Sequence, residues 1–428
     1  MTRLHTLTAH ELATRLQRRE LGAEAVLRDC LERIAEREPA VQAFAHLDVD
    51  QALAQARALD AGPLRGLLHG LPLGVKDLID TADLPTAYGS AVYAGHRPAA
   101  DAAAVALARE AGAVVAGKTV TTEFAYFHPG ATRNPHALSR TPMHTPGGSS
   151  SGSAGAVADH MLPLALGTQT AASIIRPAAF CGVVGYKPSW GRVPRGGIKS
   201  LSESLDTVGG FGRAVADVAL LGAVLTGDAR LLQPHDGSTP RIGLCRTPEW
   251  PQADADTQAA FALAAQRLGP AAQVREAWPA ALPDLVSLQK SIMAFEMARS
   301  LSHERTQHRA RLSARLLALM DEGMAIDGAT HAAHQAQAAL ARQQAQVLFD
   351  GVDVLLAPSA IGTAPAGLDA TGDPLFCRGW TLLGLPCIHL PFTRGTNGLP
   401  VGMQLVGRFG DDARLLAAAD WCLSRLLA

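Results

Sequence analysis

A chain of 428 residues with 48% hydrophobic and 18% charged side chains can bury a large core and carries none of the bias of a disordered protein. Its 38 basic residues stand against 39 acidic ones, a formal charge of -1, so bulk electrostatics give no support to a nucleic-acid or anionic-membrane partner. The six cysteines, Cys30, Cys181, Cys245, Cys377, Cys387 and Cys422, form no C-x-x-C pair, and no apolar run is long enough to span a bilayer. Met1 to His5 opens without the apolar segment of a secretory signal, so a soluble cytoplasmic protein with reduced thiols is expected.

The first 60 residues read as a helical flank. Thr8 followed by Glu11 is a capping pair, with Leu12 and Leu16 on the stripe behind it. A second helix is predicted from Ala23 to Glu38, stopped by Pro39, and an alanine-rich third from Ala43 to Leu59. Leu71 to Val75 is a short buried strand that delivers Lys76 and Asp77 where the apolar pattern ends. A helix from Asp101 to Glu110 and a strand from Ala113 to Gly117 follow, then a Gly/Ser-rich stretch from Thr145 to Pro188 with a strand at Met161 to Leu166.

Val183 to Pro188 leads into a loop to about Ser204, and Asp217 to Leu225 is a helix. Residues 227–240 read as a surface linker. Arg241 to Cys245 is a strand, Asp254 to Leu268 a helix, and Ala272 to Glu276 another strand. Residues 286–349 form a helical excursion. A strand from Val352 to Ala357, a loop and helix from Asp373 to Leu382, strands at Ile388 to Leu390 and Val401 to Val406, and a helix from Ala413 to Leu427 complete the chain. Helices alternating with continuous apolar strands predict an α/β fold, a large mixed sheet covered on both faces, in a single domain over residues 1–428.

Three polar groups have the makings of acyl-transfer chemistry. Lys76 adjoins an apolar strand, and burial would favour the neutral amine that a lysine base requires; a lysine snorkelling at a strand end fits the same spacing. Ser149 precedes a helix, where an N-cap is its ordinary role and a proton relay the functional one. Ser173 follows a strand and the small residues Thr168 to Ala172, whose consecutive N–H groups can converge on an oxyanion, although a turn serine would look alike. Ser150 formally matches G-x-S-x-G, but the loop before it is no strand, and the match is set aside. Arg176, among apolar neighbours, suits a carboxylate or a second polar group of the substrate, or equally a structural ion pair. His331 and His334 lack accompanying ligands, and no P-loop, dinucleotide fingerprint or zinc motif occurs, so neither metal nor nucleotide cofactor is expected.

GVKD at 74–77, PGGSSSGS at 146–153, LALGTQTAAS at 164–173, RPAAFCGVVGYKPS at 176–189 and LPVGMQLVGRFGDD at 399–412 together resemble the amidase signature family of serine hydrolases over nearly the whole chain. Within it, GTQT and the IRPA arrangement look like the malonamidase-like bacterial enzymes. The resemblance implies a Ser-Ser-Lys triad, with Ser173 as nucleophile, Ser149 after a cis peptide bond with Gly148, and Lys76 as base. It implies an oxyanion hole from Thr170, Ala171, Ala172 and Ser173, and substrate contacts from Arg176, Gly148 and Thr168. The arginine stands one place later than in many members, and Ala171-Ala172 replaces their Gly-Gly, which serves equally if both alanines take negative φ.

The implied activity is hydrolysis of a small amide, one bearing a carboxylate or a second polar carbonyl such as malonamate or malonamide being favoured, to carboxylate and ammonia without a cofactor. The implied partners are the small amide and a possible second copy, with neither nucleic acid nor membrane. Biuret-type, carbamate or aryl amides, a glutamine amidotransferase subunit and a catalytically decayed binding protein are the alternatives.

Overall fold

The computed structural model describes residues 3–233, 237–275 and 278–428. Helix α1 (Ala9–Gln17) begins as its capping pair predicts: the Thr8 side chain accepts from the Glu11 N–H, and Glu11 accepts from the Thr8 N–H. Helix α2 (Ala23–Val41) runs two residues past Pro39, because proline removes only its own bond while the Gln42 N–H still reaches the Glu38 carbonyl at 2.9 Å. The expected third helix divides in two. Phe44–Leu47 is strand β1, and only Val49–Ala61 is helix α3, started by the Asp48 side chain accepting from the Gln51 N–H. Pairing with a partner strand, together with Glu38 accepting from the Ala43 and Phe44 N–H groups, outweighs the helix propensity of the alanines.

Strand β2 (Pro72–Lys76), helix α4 (Ala103–Glu110) and strand β3 (Val114–Thr119) fall within a residue or two of expectation. They are followed by α5 (Ser151–Ala158), β4 (Leu164–Gln169), α6 (Ile175–Cys181) and β5 (Val184–Lys187). Strand β6 (Thr207–Gly212) was not foreseen, since its sequence TVGGFG has three glycines and little β propensity. The glycines are needed for packing: a Cβ on Gly209 would lie 2.1 Å from the Tyr186 carbonyl oxygen.

The chain continues through α7 (Val215–Thr226), β7 (Ile242–Cys245), α8 (Ala255–Leu268) and β8 (Ala272–Arg275). Within the expected linker, Ala229–Leu232 is a short turn with Leu231 buried, and residues 234–236 lie outside the described residues, as does Glu276 at the end of the last predicted strand. The helical excursion comprises α9 (Leu285–Ser300), α10 (Ser302–Gln307), α11 (Ala314–Ala325) and α12 (Gly328–Gln344). Then come β9 (Val354–Pro358), α13 (Leu375–Leu382), β10 (Cys387–Arg394), β11 (Pro400–Gly407) and α14 (Asp412–Leu427). Among the described residues no helix is long and apolar enough to cross a membrane.

All eleven strands join one mixed sheet in the order β1-β3-β2-β4-β6-β5-β10-β11-β9-β7-β8, flanked by helices in an α/β architecture. Alternation along β9 shows the two covered faces: Leu355 and Ala357 pack in the cluster containing α9, α11 and α13, and Val354 and Leu356 in that containing α8 and α14. Strands β3, β2 and β4 run parallel, so their carboxyl ends lie side by side. Open α/β sheets place ligands at such ends. Here they hold Lys76 and the chain leading to Ser173.

Helix α5, which follows Ser149, is seated against β3 at Gly152. Its N–H donates to the Val120 carbonyl at 3.0 Å, and a Cβ there would stand 2.2 Å from the Ala43 carbonyl oxygen and 2.3 Å from the Val120 nitrogen. Backbone on both sides leaves no flexible side chain to yield. Gly152→Ala is therefore expected to lower stability by about 1–3 kcal/mol or more, read as a fall in the midpoint of thermal or urea unfolding. An unchanged midpoint would contradict this seating.

Candidate active site

Lys76 is the last residue of β2 and fully buried. Its Nζ donates to Ser149 Oγ and to Thr168 Oγ1, each at 2.7 Å. Among the described residues no carboxylate lies within ion-pair distance of it. Burial pushes the amine down from 10.5 to about 7, opposed by the charge of Asp206. The result is a lysine whose neutral form is accessible near neutral pH, facing two hydroxyls.

Ser149 follows a cis Gly148–Ser149 peptide bond. The N-cap position of α5 belongs to Ser150, which leaves the Ser149 hydroxyl to the lysine. Ser150 is wholly buried, and its Oγ donates to the Thr168 carbonyl at 3.3 Å, so the formal G-x-S-x-G match builds no exposed nucleophile.

Ser173 stands between β4 and α6 and borders a cavity of about 20 Å³ together with Ser149, Thr170, Ala171 and Arg176. Among the described residues the Ser173 hydroxyl has no hydrogen-bond partner. Ser149 and Ser173 thus share the cavity, whereas only Ser149 is bonded to Lys76. Catalytic contacts of this kind commonly tighten when substrate enters.

The turn before Ser173 is held by its carbonyl groups. Gln289 Nε2 donates to the Thr170 carbonyl at 3.0 Å, Thr381 Oγ1 to the Ala171 carbonyl at 2.7 Å, and the Arg176 N–H to the Ala172 carbonyl at 2.9 Å. The N–H groups of Ala171, Ala172 and Ser173 find no acceptor among the described residues. Three held carbonyls and three uncommitted N–H groups on consecutive residues are what an oxyanion hole requires. Neither alanine is among the residues with positive φ, so their methyl groups impose no backbone penalty at the places where glycines were the expectation.

Arg176 is buried and engages neutral acceptors. Nη2 donates to the Gly148 carbonyl at 2.7 Å and to Thr371 Oγ1 at 3.0 Å, and Nη1 donates to the Gly372 carbonyl. It forms no ion pair within the described residues, and burial pushes it down to about 10. The guanidinium therefore clamps the peptide that carries Ser149 while also lining the cavity. Gly148 takes part through that carbonyl, and Thr168 through its bond to Lys76.

The rest of the cavity was not legible in sequence. Tyr126, Phe127, Leu201, Met293, Thr371 and Pro374 also line it, drawn from loops and from α9, far from the motifs. Gln169 carried one signal, a polar residue at the end of a buried strand. Its Oε1 accepts from the Ile174 and Ile175 N–H groups and its Nε2 donates to Thr381 Oγ1, locking the turn from within. His331 and His334 have packing roles, His331 stacked on Phe295 and His334 bonded to Ser291.

A family model described as Amidase matches residues 25–416. The A subunit of glutamyl-tRNA(Gln) amidotransferase from Nitratidesulfovibrio vulgaris (strain DP4) is 35% identical, the match covering 100% of this chain and 98% of the relative. Among solved structures, an amidase is 32% identical with a TM-score of 0.89, over 98% of this chain and 100% of that one. A peptide amidase in complex with chymostatin is 31% identical with a TM-score of 0.82, over 98% and 97%.

Two expectations are corrected by these relatives. The malonamidase-like assignment rested on two short motifs, and identity spread along the whole chain favours amidotransferase A subunits instead. The exclusion of nucleic acid rested on a bulk charge near zero, and relatives named for a tRNA overturn it; net charge reports the average surface, not one patch or an assembly.

A lysine base works only when neutral. Because burial places Lys76 at about 7, kcat/KM is expected to fall about tenfold per pH unit on the acid side of a midpoint near that value. Lys76→Met should lower the plateau by roughly 10²–10⁴-fold and abolish that limb. A wild-type rate independent of pH from roughly 5 to 9 would exclude the lysine as base.

Proposed function

The chain belongs to the amidase family, and from that footing we propose that it hydrolyses the carboxamide of glutamine, as an amidotransferase A subunit would, with Ser173 as nucleophile. Neutral Lys76 takes the Ser149 proton as Ser149 takes that of Ser173, and Ser173 Oγ bonds to the amide carbon. The N–H groups of residues 171–173 receive the negative oxygen. When the tetrahedral intermediate collapses, the carbon–nitrogen bond breaks and the nitrogen leaves as ammonia, protonated back through Ser149. Water then attacks the ester, releases the acid and restores Ser173.

The observation carrying this reading is a buried Lys76 bonded to Ser149, which shares a cavity with Ser173 beside a turn whose carbonyls are engaged and whose N–H groups, among the described residues, are not. Glutamine is chosen because the amidotransferase relatives align over the full chain. By the same likeness the ammonia would pass to glutamyl-tRNA(Gln) in an assembly with other subunits. All six cysteines are buried thiols, which suits the reducing cytoplasm as the place of action.

One observation favours a second reading, a stand-alone amidase acting on a small anionic amide without an ammonium group, malonamate being the simplest. Arg176 is the charged side chain lining the cavity, and no carboxylate lines it to meet the α-ammonium of glutamine. Ammonia release from glutamine and from malonamate by the purified chain separates the two, the first reading requiring glutamine to have the higher kcat/KM. With either substrate, Ser173→Ala is expected to lower kcat by roughly 10³-fold or more. Release that persists undiminished would remove Ser173 from the mechanism.

A further inference from the structure

Asp206, in the turn entering β6, is a buried carboxylate without an ion-pair partner among the described residues. Its Oδ1 accepts from Thr170 Oγ1 at 2.5 Å. Its Oδ2 accepts from Ser200 Oγ at 3.2 Å, the Leu201 N–H at 2.9 Å and the Ser202 N–H at 3.1 Å. Thr170 belongs to the turn before the nucleophile, and Leu201 is part of the cavity wall. The strand that follows Asp206 is bonded to β4 with Thr207 opposite Gln169, which fixes the carboxylate beside Thr170.

We infer that Asp206 is a positioning residue for the reaction proposed above: its carboxylate ties the turn at Thr170 to the cavity wall at Leu201 and places a negative charge on the Lys76 side of the site. Geometry assigns the first role. A carboxylate bonded at both oxygens extends the tie beyond the last ladder pair, Gln169 with Thr207, to the turn at Thr170 and the wall at Leu201, so that the two hold one relation to each other. The second follows from placement: Asp206 lines a second cavity together with Thr168, whose hydroxyl accepts from Lys76, and with the charged side chains of Arg195 and Glu203. Lys76 is faced by Ser149 and Thr168, both neutral, while Asp77 and Lys118, at the end of the same strand and on β3, pair with each other at 3.5 Å. Asp206 is the charged group that acts on Lys76, and it favours the ammonium against burial. Burial also pushes the Asp206 carboxyl up, and its hydrogen-bond donors pull it back toward the charged form.

The inference rests on Ser173 being the nucleophile, and the test keeps the two apart. The second-order rate of labelling of Ser173 by a fluorophosphonate is measured against pH for the full chain, for Asp206→Asn and for Thr170→Val. An amide that keeps its oxygen toward the Leu201 and Ser202 N–H groups turns its NH₂ toward Thr170 Oγ1, so the charge-assisted bond from that hydroxyl is lost and the remaining bonds lose their charge assistance. Asp206→Asn is expected to label about tenfold more slowly or worse on the plateau. Its acid limb should move to lower pH, because the charge that favoured the ammonium is gone. Thr170→Val should slow labelling with the limb unmoved.

Labelling of Asp206→Asn within about twofold of wild type, or slower labelling with an unmoved limb, would overturn the inference. Should Asp206→Asn fail to show a native unfolding transition, Thr170→Val decides, since undiminished labelling there removes the tie to the turn. Failure of the wild type to label at Ser173 would instead sink the nucleophile assignment.

Discussion

The structure turns on an amine held in a place unsuited to a charge. Lys76 is fully buried and, among the described residues, has no carboxylate in ion-pair reach; two hydroxyls accept from it at 2.7 Å. Its displacement from 10.5 to about 7 corresponds to roughly 5 kcal/mol of lost preference for the ammonium. That energy is supplied by the fold: a parallel strand buried along its whole length ends at the lysine, and neighbours on β3 and β4 close the sides. A lysine at an exposed strand end would stay protonated and could accept nothing.

Around that amine the molecule fixes backbone more than it arranges side chains. The turn from Thr170 to Ala172 is pinned at each carbonyl by a group from a different part of the chain: Gln289 on α9, Thr381 on α13 and the N–H of Arg176 on α6. Arg176 in turn holds the Gly148 carbonyl next to Ser149 and the loop at Thr371 and Gly372. Among the described residues, the Ser173 hydroxyl and three consecutive N–H groups of this turn are left uncommitted. Preorganised donors of this kind cost no reorganisation as charge develops, which is how they favour a transition state over a ground state.

The motifs for the chemistry could be read in sequence because they are local. A strand ending in lysine and two serine-bearing turns can be recognised from a few residues each; in the fold Ser149 and Ser173 line one cavity, and Lys76 is bonded to Ser149. What was missed is set by contacts between distant segments. Glycine-rich β6 is a strand because it packs against Tyr186 and Leu221, and β1 departs from a helical pattern because β3 offers it a partner. Of the readings open for Arg176, the structural ion pair gives way, among the described residues, to two backbone carbonyls and a threonine hydroxyl, partners invisible until loop 371–372 is placed beside α6. The relatives were misjudged for a similar reason, two short motifs having been weighed above the rest of the chain.

The central claim is that a serine ester forms at residue 173 on the way to the acid. Turnover with glutamine or malonamate can be quenched in acid within the first cycle and the intact mass of the protein recorded, followed by peptide mapping. The account predicts a mass increase equal to the substrate less ammonia, carried by the peptide containing Ser173 and absent from Ser173→Ala. Turnover with no covalent increment under fast quench, or an increment mapping to another residue, would contradict it.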